Sequence, residues 1–447
     1  MENDNRMRRT IIKLHFLLFW LMSFLESTAQ ECSILYENAL ETGGIQIISP
    51  AYGQEHLIGA ENGLYSLKGG NLTSISSTEQ FAEVTSFGLD IDGVFLIGTD
   101  SGLYFLKDGK IKNINIEAPT GYIHSIGAEY RGNQFIIAEN GLYLLQGLEL
   151  SLISPSNRTE YIYAISPEYN DSHLIISSNG LFVMKGRTTL TTLSDLKTGR
   201  VIGFGPDDSG MPTIVASNGL FSFNGEELLS PKFDLEIGEI FDYGFDKNRN
   251  LLIHASNGLF NLVEKKMIHI ESEIEFSDIQ EFGPKYFDGQ LIGAEGGLFL
   301  LNHGEISQID PTVNTGGILK FGPKIMEKQL VEAHNGLFLL DKNKLKKVKS
   351  DFEFGFIEEF GPEFSNGILL DTLMGLFILR EEEISDIYSS DYIGSTNIFG
   401  PRYENTQLVG GENGFFQIIR ANYSMASKTS NSVAVEENSS IQIEWFL

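Results

Sequence analysis

Groups able to do chemistry are numerous in this sequence, but few stand at spacings that chemistry uses. The eight histidines are scattered, and none sits at the helical i, i+4 spacing of a zinc peptidase. No Gly-x-Ser-x-Gly elbow, phosphate loop or dinucleotide fingerprint occurs, and the single cysteine, Cys32, has no evident base to activate it. Asp90-Ile91-Asp92-Gly93 and Asp207-Asp208-Ser209-Gly210 suggest calcium loops, yet neither has the distal glutamate of an EF-hand. The turn reading is favoured, and no metal or cofactor is expected. The 60 acidic residues leave room for a glycosidase pair, since two carboxylates suffice for that reaction, but sequence does not give their separation. One set is spaced regularly: Tyr122, Tyr161 and Arg200 lie 39 residues apart, as do His124 and Tyr163. Aromatic faces beside hydrogen-bonding groups suit a sugar or a peptide, so these five residues form the candidate ligand-binding set. Filling a wide channel mouth is the bland alternative for them.

The elements that must position these residues follow from the same spacing. Gly63, Gly102, Gly141, Gly180, Gly219, Gly258, Gly297, Gly336, Gly375 and Gly414 are each separated by 39 residues, without insertion or deletion. Each is followed by Leu, or Phe415 in the last copy, and then by Tyr or Phe. A second column, fourteen residues earlier in each copy, holds glycine except at Ser49 and Ser166, and seven of its ten members precede proline. A unit near 40 residues with no helical period over ten residues has the dimension of a four-stranded propeller blade. Within one copy the expected strands end at Phe282-Gly283-Pro284, then cover Leu291 to Ala294, Leu298 to Leu301 and Ile306 to Ile309. Asn-Gly between the second and third, present in seven copies, predicts a primed hairpin turn at Asn140-Gly141 and Asn218-Gly219. The fold class is therefore all-β, a propeller of ten blades. A single ring is favoured over two smaller ones because the phase never slips, and a β-solenoid is the alternative. Ser33-Ile34-Leu35-Tyr36 fall in the phase of a fourth strand, so they are placed to complete the last blade. The first strand of each blade lines the channel, which would set the five candidates side by side across three blades.

Three segments are expected: a signal peptide over 1–29, the propeller over 30–426, and a polar tail over 427–447. Arg6, Arg8, Arg9 and Lys13 precede an apolar run from Leu14 to Leu25 and the small residues Ser27-Thr28-Ala29, the pattern of a cleaved secretory signal. That run is too short to span a bilayer and no later one approaches a span, so an exported, periplasmic or extracellular protein with no transmembrane segment is expected. A lipid anchor would need cysteine as the first mature residue, and Cys32 comes three positions late. A lone cysteine excludes an internal disulfide framework, so burial alone must hold the fold. Loss of the signal, with its four basic and three acidic residues, takes the formal charge from −28 to −29. Such a surface repels nucleic acid and anionic lipid.

Phe95-Leu96-Ile97-Gly98-Thr99-Asp100-Ser101-Gly102-Leu103-Tyr104, preceded by the turn Asp90-Ile91-Asp92-Gly93, resembles the repeat of two-component regulator propellers. The resemblance covers residues 43 to about 420. The strand tryptophan of that family is missing from every copy, with Leu57, Leu96 and Leu291 near its place. The resemblance implies an extracytoplasmic sensor that binds glycan fragments or similar nutrients and signals to a following domain, often one with a triple-tyrosine motif. Ser440-Ile441-Gln442-Ile443-Glu444-Trp445-Phe446 alternate as the first strand of such a domain would. Either a stand-alone binding protein, with a separate signalling protein as partner, or a shortened product is expected. Enzymes on repeat scaffolds usually lengthen loops in some copies, and here none lengthens. The expected function is therefore non-enzymatic binding or sensing of a glycan or peptide. An adhesion or structural element is the second reading and a propeller glycosidase or lyase the third.

Overall fold

In a computed structural model of the chain, the described residues lie within 32–420, except 38–41, 52–54, 76–82, 92, 115–118, 131–132, 156–158, 160, 187–188, 194–197, 209–210, 273–278, 351–352 and 390–392. The proposed signal peptide and tail lie outside them. Among the described residues no helix is long and apolar enough to cross a membrane.

The described residues form forty strands in ten four-stranded sheets, one per repeat and all antiparallel. The strands of a blade are called a to d from the channel outward. In blade 7 they are Ile279–Tyr286, Gly289–Ala294, Gly297–Asn302 and Glu305–Gln308. Strand a runs on through the Gly-Pro corner where an end was expected. Two β-bulges, one after Ile279 and one after Phe282, let it bend there without leaving the ladder.

A blade is hydrophobic on both faces and buries them against its neighbours. Each of the ten core clusters joins two consecutive blades, and one of them, built from Ile45, Ile58, Tyr65, Leu67, Leu408 and Phe415, joins the tenth blade to the first. The ring is therefore single and closed, which removes both the two-ring arrangement and the solenoid. Strand d of blade 10 is Cys32–Glu37, paired antiparallel with Gly414–Arg420 from Cys32↔Arg420 to Glu37↔Phe415. The N-terminal segment thus completes the last blade as its phase predicts.

The glycine of the aromatic-Gly-Pro corner is a packing site. A Cβ on Gly322 would lie 2.7 Å from the Phe360 ring of the next blade, and one on Gly361 2.6 Å from Phe399. In blades 7 to 10 the aromatic residue, Phe282, Phe321, Phe360 or Phe399, therefore seats on the glycine of the blade before it. The bulge leaves that glycine's carbonyl outside the ladder, and the side-chain amides of Gln290, Gln329 and Gln407 donate to Gly283, Gly322 and Gly400. Where serine replaces glycine, histidine replaces glutamine. His56 Nδ1 lies 3.0 Å from Ser49 O and His173 Nδ1 2.9 Å from Ser166 O, so these two histidines serve the scaffold.

The hairpin expectation needs correction. In blade 5, Ala216 pairs with Gly219, so the two-residue loop is Ser217-Asn218 and the glycine opens strand c. Gly219 has φ +140 while Asn218 is not among the positive-φ residues; a primed turn of the Asn-Gly pair is excluded. The glycine instead absorbs the twist mismatch between an ordinary turn and the strands. Primed geometry, with positive φ at both central residues, occurs at the other end of the ring. Met326 (φ 45) and Glu327 (φ 64) link strands a and b of blade 8, and Glu264 (φ 47) and Lys265 (φ 67) link strands c and d of blade 6.

Candidate functional site

The entry into strand a and the b–c turn of the same blade lie at one mouth of the channel, tied by backbone bonds. Glu139 N donates to Tyr122 O at 2.8 Å, Ser178 N to Tyr161 O at 2.8 Å and Ser217 N to Arg200 O at 2.8 Å. In return Tyr161 N donates to Ser178 Oγ at 3.2 Å and Arg200 N to Ser217 Oγ at 3.0 Å. The entry residue is thereby fixed by its backbone, and its side chain is free to differ between copies. Two residues on, the bulge residue is the second variable position: Ile162 pairs with Ser177 and Ala164 with Ile176, leaving Tyr163 out of the ladder.

Bulge side chains reach toward the following blade. Thr85 Oγ1 donates to Ile123 O at 2.5 Å and Asn397 Nδ2 to Ile45 O at 2.8 Å, and a Cβ on Gly317 would lie 2.9 Å from Gln280 Oε1. The same geometry orders the five candidates along the rim as Tyr122, His124, Tyr161, Tyr163 and Arg200. Tyr122 and His124 pack together with ring centroids 5.1 Å apart. Tyr122 is half-buried, and its hydroxyl pKa is raised by burial and by the charges of Glu83 and Asp100. Tyr161 and Tyr163 are 63% and 69% exposed, and Arg200 is exposed. Tyr161, Tyr163 and Arg200 share the rim without a ring contact among the described residues.

Sequence reasoning missed other mouth residues. Phe241, exposed and edge-on to His254 at 5.4 Å, extends the aromatic arc by occupying the same bulge column as Tyr163. On the far side the rim turns acidic. Glu281 of blade 7 accepts from Phe321 N of blade 8 at 2.9 Å, and Glu332 of blade 8 accepts from Ile357 N of blade 9 at 2.7 Å. Burial raises both carboxyl pKa values, against these hydrogen bonds and the Lys320 charge. Asp371 in strand b of blade 9 pairs in register with Glu359, and burial, with the Glu358 and Glu359 charges adding, pushes its pKa up to about 6. Glu332 and Asp371 were legible as charges in a column that elsewhere holds Gly59, Gly98, Ile137, Ile176, Val215, His254, Gly293 and Gly410.

A cleft of about 590 Å³ opens between strands a of blades 6 and 7, with Asp242, Asp246, Glu281, Lys285 and Gln290 among its lining residues. None of the five candidates lines it. Among the described residues no three histidine, cysteine or carboxylate side chains converge to hold a metal ion. Asp207 and Asp208 lie on strand a of blade 5, while Ser209 and Gly210 are outside the described residues.

No protein-family model matches this sequence, and no curated protein matches it. Among solved structures the chain is similar to the extracellular domain of the putative one component system BT4673 from B. thetaiotaomicron, at 13% identity over 90% of this chain and 79% of that one, with a TM-score of 0.31. It is likewise similar to the extracellular domain of the putative hybrid two component system BT3049 from the same organism, at 14% identity over 89% and 73%, TM-score 0.30. A computationally designed protein, Ika8, matches at 12% identity over 88% of this chain and all of that one, TM-score 0.36. Scores of this size carry no argument about ligand or activity.

Proposed function

We propose that this chain is an exported, non-enzymatic propeller that binds or senses a glycan or peptide at its channel mouth and hands the signal to a separate protein. The observation that supports this reading is the exposure of Tyr161 and Tyr163, 63% and 69%, at positions whose backbone the fold fixes and whose side chains it leaves unused. Large exposed aromatic faces cost solvation without aiding packing, and they stack on sugar rings or peptide side chains. Arg200 one blade further on and Tyr122-His124 one blade before supply hydrogen-bonding groups.

A glycan and peptide binding screen on residues 30–447 tests the proposal. Once a ligand is found, Tyr161→Ala and Tyr163→Ala should each weaken binding at least tenfold, in line with the roughly 2 kcal/mol or more of a hot-spot aromatic, with folding stability nearly intact. Parental affinity in both variants would reduce the patch to filler. Recovery of the ligand unaltered after long incubation supports binding. Recovery of fragments would overturn it in favour of catalysis by carboxylates such as Asp242 and Glu281, which share the cleft.

A further inference from the structure

We infer that the mouth of blade 9 binds an organic cation, an ammonium or guanidinium group carried beside an apolar side chain, as in a basic peptide segment. Three carboxylates meet there. Glu358 and Glu359 are consecutive exposed residues of strand a, and Asp371 faces Glu359 across the ladder. Asp371 is 3% exposed, and its Oδ1 has no hydrogen-bond partner. No basic side chain among the described residues forms an ion pair with any of the three. A cation does approach, but Lys320 of blade 8 spends its ammonium on the Ile357 and Glu358 carbonyls, at 2.7 and 2.9 Å. The Thr396 hydroxyl and the Thr372 backbone ease the Asp371 charge, but its charged neighbours are both acidic; such a buried carboxylate is costly, and it persists where most copies carry glycine or an aliphatic residue.

The apolar half of the site lies on the same blade. Phe356 enters strand a 52% exposed, and the b–c turn is Leu373-Met374, 61% and 52% exposed, where other copies carry polar pairs such as Glu139-Asn140 or Ser217-Asn218. Met374 Cγ lies 3.7 Å from where a Cβ on Gly355 would stand, so this lip borders the entry to the acidic strand. The site is on blade 9 and the aromatic arc on blades 3 to 6; the inference stands apart from the proposed aromatic site.

Isothermal titration of the mature chain with acetylated and amidated Leu-Arg-Leu tests it. Saturable binding is expected, at least tenfold weaker for the same peptide with citrulline in place of arginine and for free arginine amide. Glu358→Gln with Glu359→Gln should weaken binding at least tenfold. Asp371→Asn, which keeps the side-chain shape, should weaken it several-fold. Absence of saturable binding, equal affinity for the citrulline peptide, or parental affinity in the Gln or Asn variants overturns the inference. Equal affinity for arginine amide overturns the apolar lip.

Discussion

Asp371 holds a proton more tightly in the folded chain than in the unfolded one, since its pKa of about 6 stands above the ordinary value of about 3.9. The sign of the linkage follows. The contribution is fully present below about pH 4 and is lost as pH rises through 6, so at neutral pH this residue costs up to about 3 kcal/mol. Asp371→Asn should therefore raise stability toward denaturant at pH 7.5 by about 1–3 kcal/mol and change it little at pH 4, both measured against the parent. An equal gain at the two pH values would assign the effect to packing. The opposite case lies at Asp246, where hydrogen bonds from the Asn248 and Asn250 backbone and the Asn250 and Asn261 side chains overcome burial and hold the pKa below the usual carboxylate range. Its stabilising contribution is present above about pH 4 and fades as pH falls through the depressed value.

At the scale of the strand and its turns, glycines do two jobs that substitution separates. Gly219 has nothing within 4 Å of a Cβ position, only φ +140, so Gly219→Val should destabilise by about 1–3 kcal/mol through backbone strain alone. Gly322 has no positive φ but receives the Phe360 ring, so Gly322→Ala should cost about 1–3 kcal/mol through overpacking. Shortening the partner, as Phe360→Leu, should recover part of that loss and leave Gly219→Val unchanged in a double-mutant cycle. Gln329→Leu should cost about 1–3 kcal/mol by orphaning the Gly322 carbonyl. Both glycine columns were legible in the sequence because a repeat shows its invariants. The turn geometry was not, because Asn-Gly fits both a primed pair and an ordinary turn that ends in glycine. Only the register Ala216↔Gly219 decides between them. The bulges were hidden for the same reason: the extra residue keeps the repeat length and leaves only a variable column, which reads as a ligand-facing position before it reads as a fold feature. Tyr161 and Tyr163 were singled out through that variability, and Phe241, in the same column as Tyr163, was passed over because the column was followed for three copies.

At the scale of the whole ring, the absence of any phase slip over ten copies already favoured one ring, and the apolar phase of Ser33 to Tyr36 already marked the closing strand. The charges of Glu332 and Asp371 were legible in their column, but their surroundings were not, since the hydrogen bonds of Glu281 to Phe321 N and of Glu332 to Ile357 N form only once neighbouring blades are packed. Starting the chain after Glu37 should leave strand c of blade 10, Gly414–Arg420, as an open edge. Equilibrium unfolding should then lose cooperativity, and sedimentation should report dimers or larger species absent from the parent, because an unpaired edge recruits other strands. A monomeric, fully cooperative variant would show that closure rests on the Ile45–Leu408–Phe415 contact alone. The pairing Cys32↔Arg420 also sets a schedule. A chain delivered N-terminus first holds its closing strand ready from the beginning, yet that strand's partner is the last to arrive. Closure is then the most non-local step of folding and the slowest to find its register. For that interval the newborn protein carries a loose strand at one end and nine growing blades at the other, so crowding at the exit site becomes the hazard, with one molecule's first strand available to fasten another molecule's last blade.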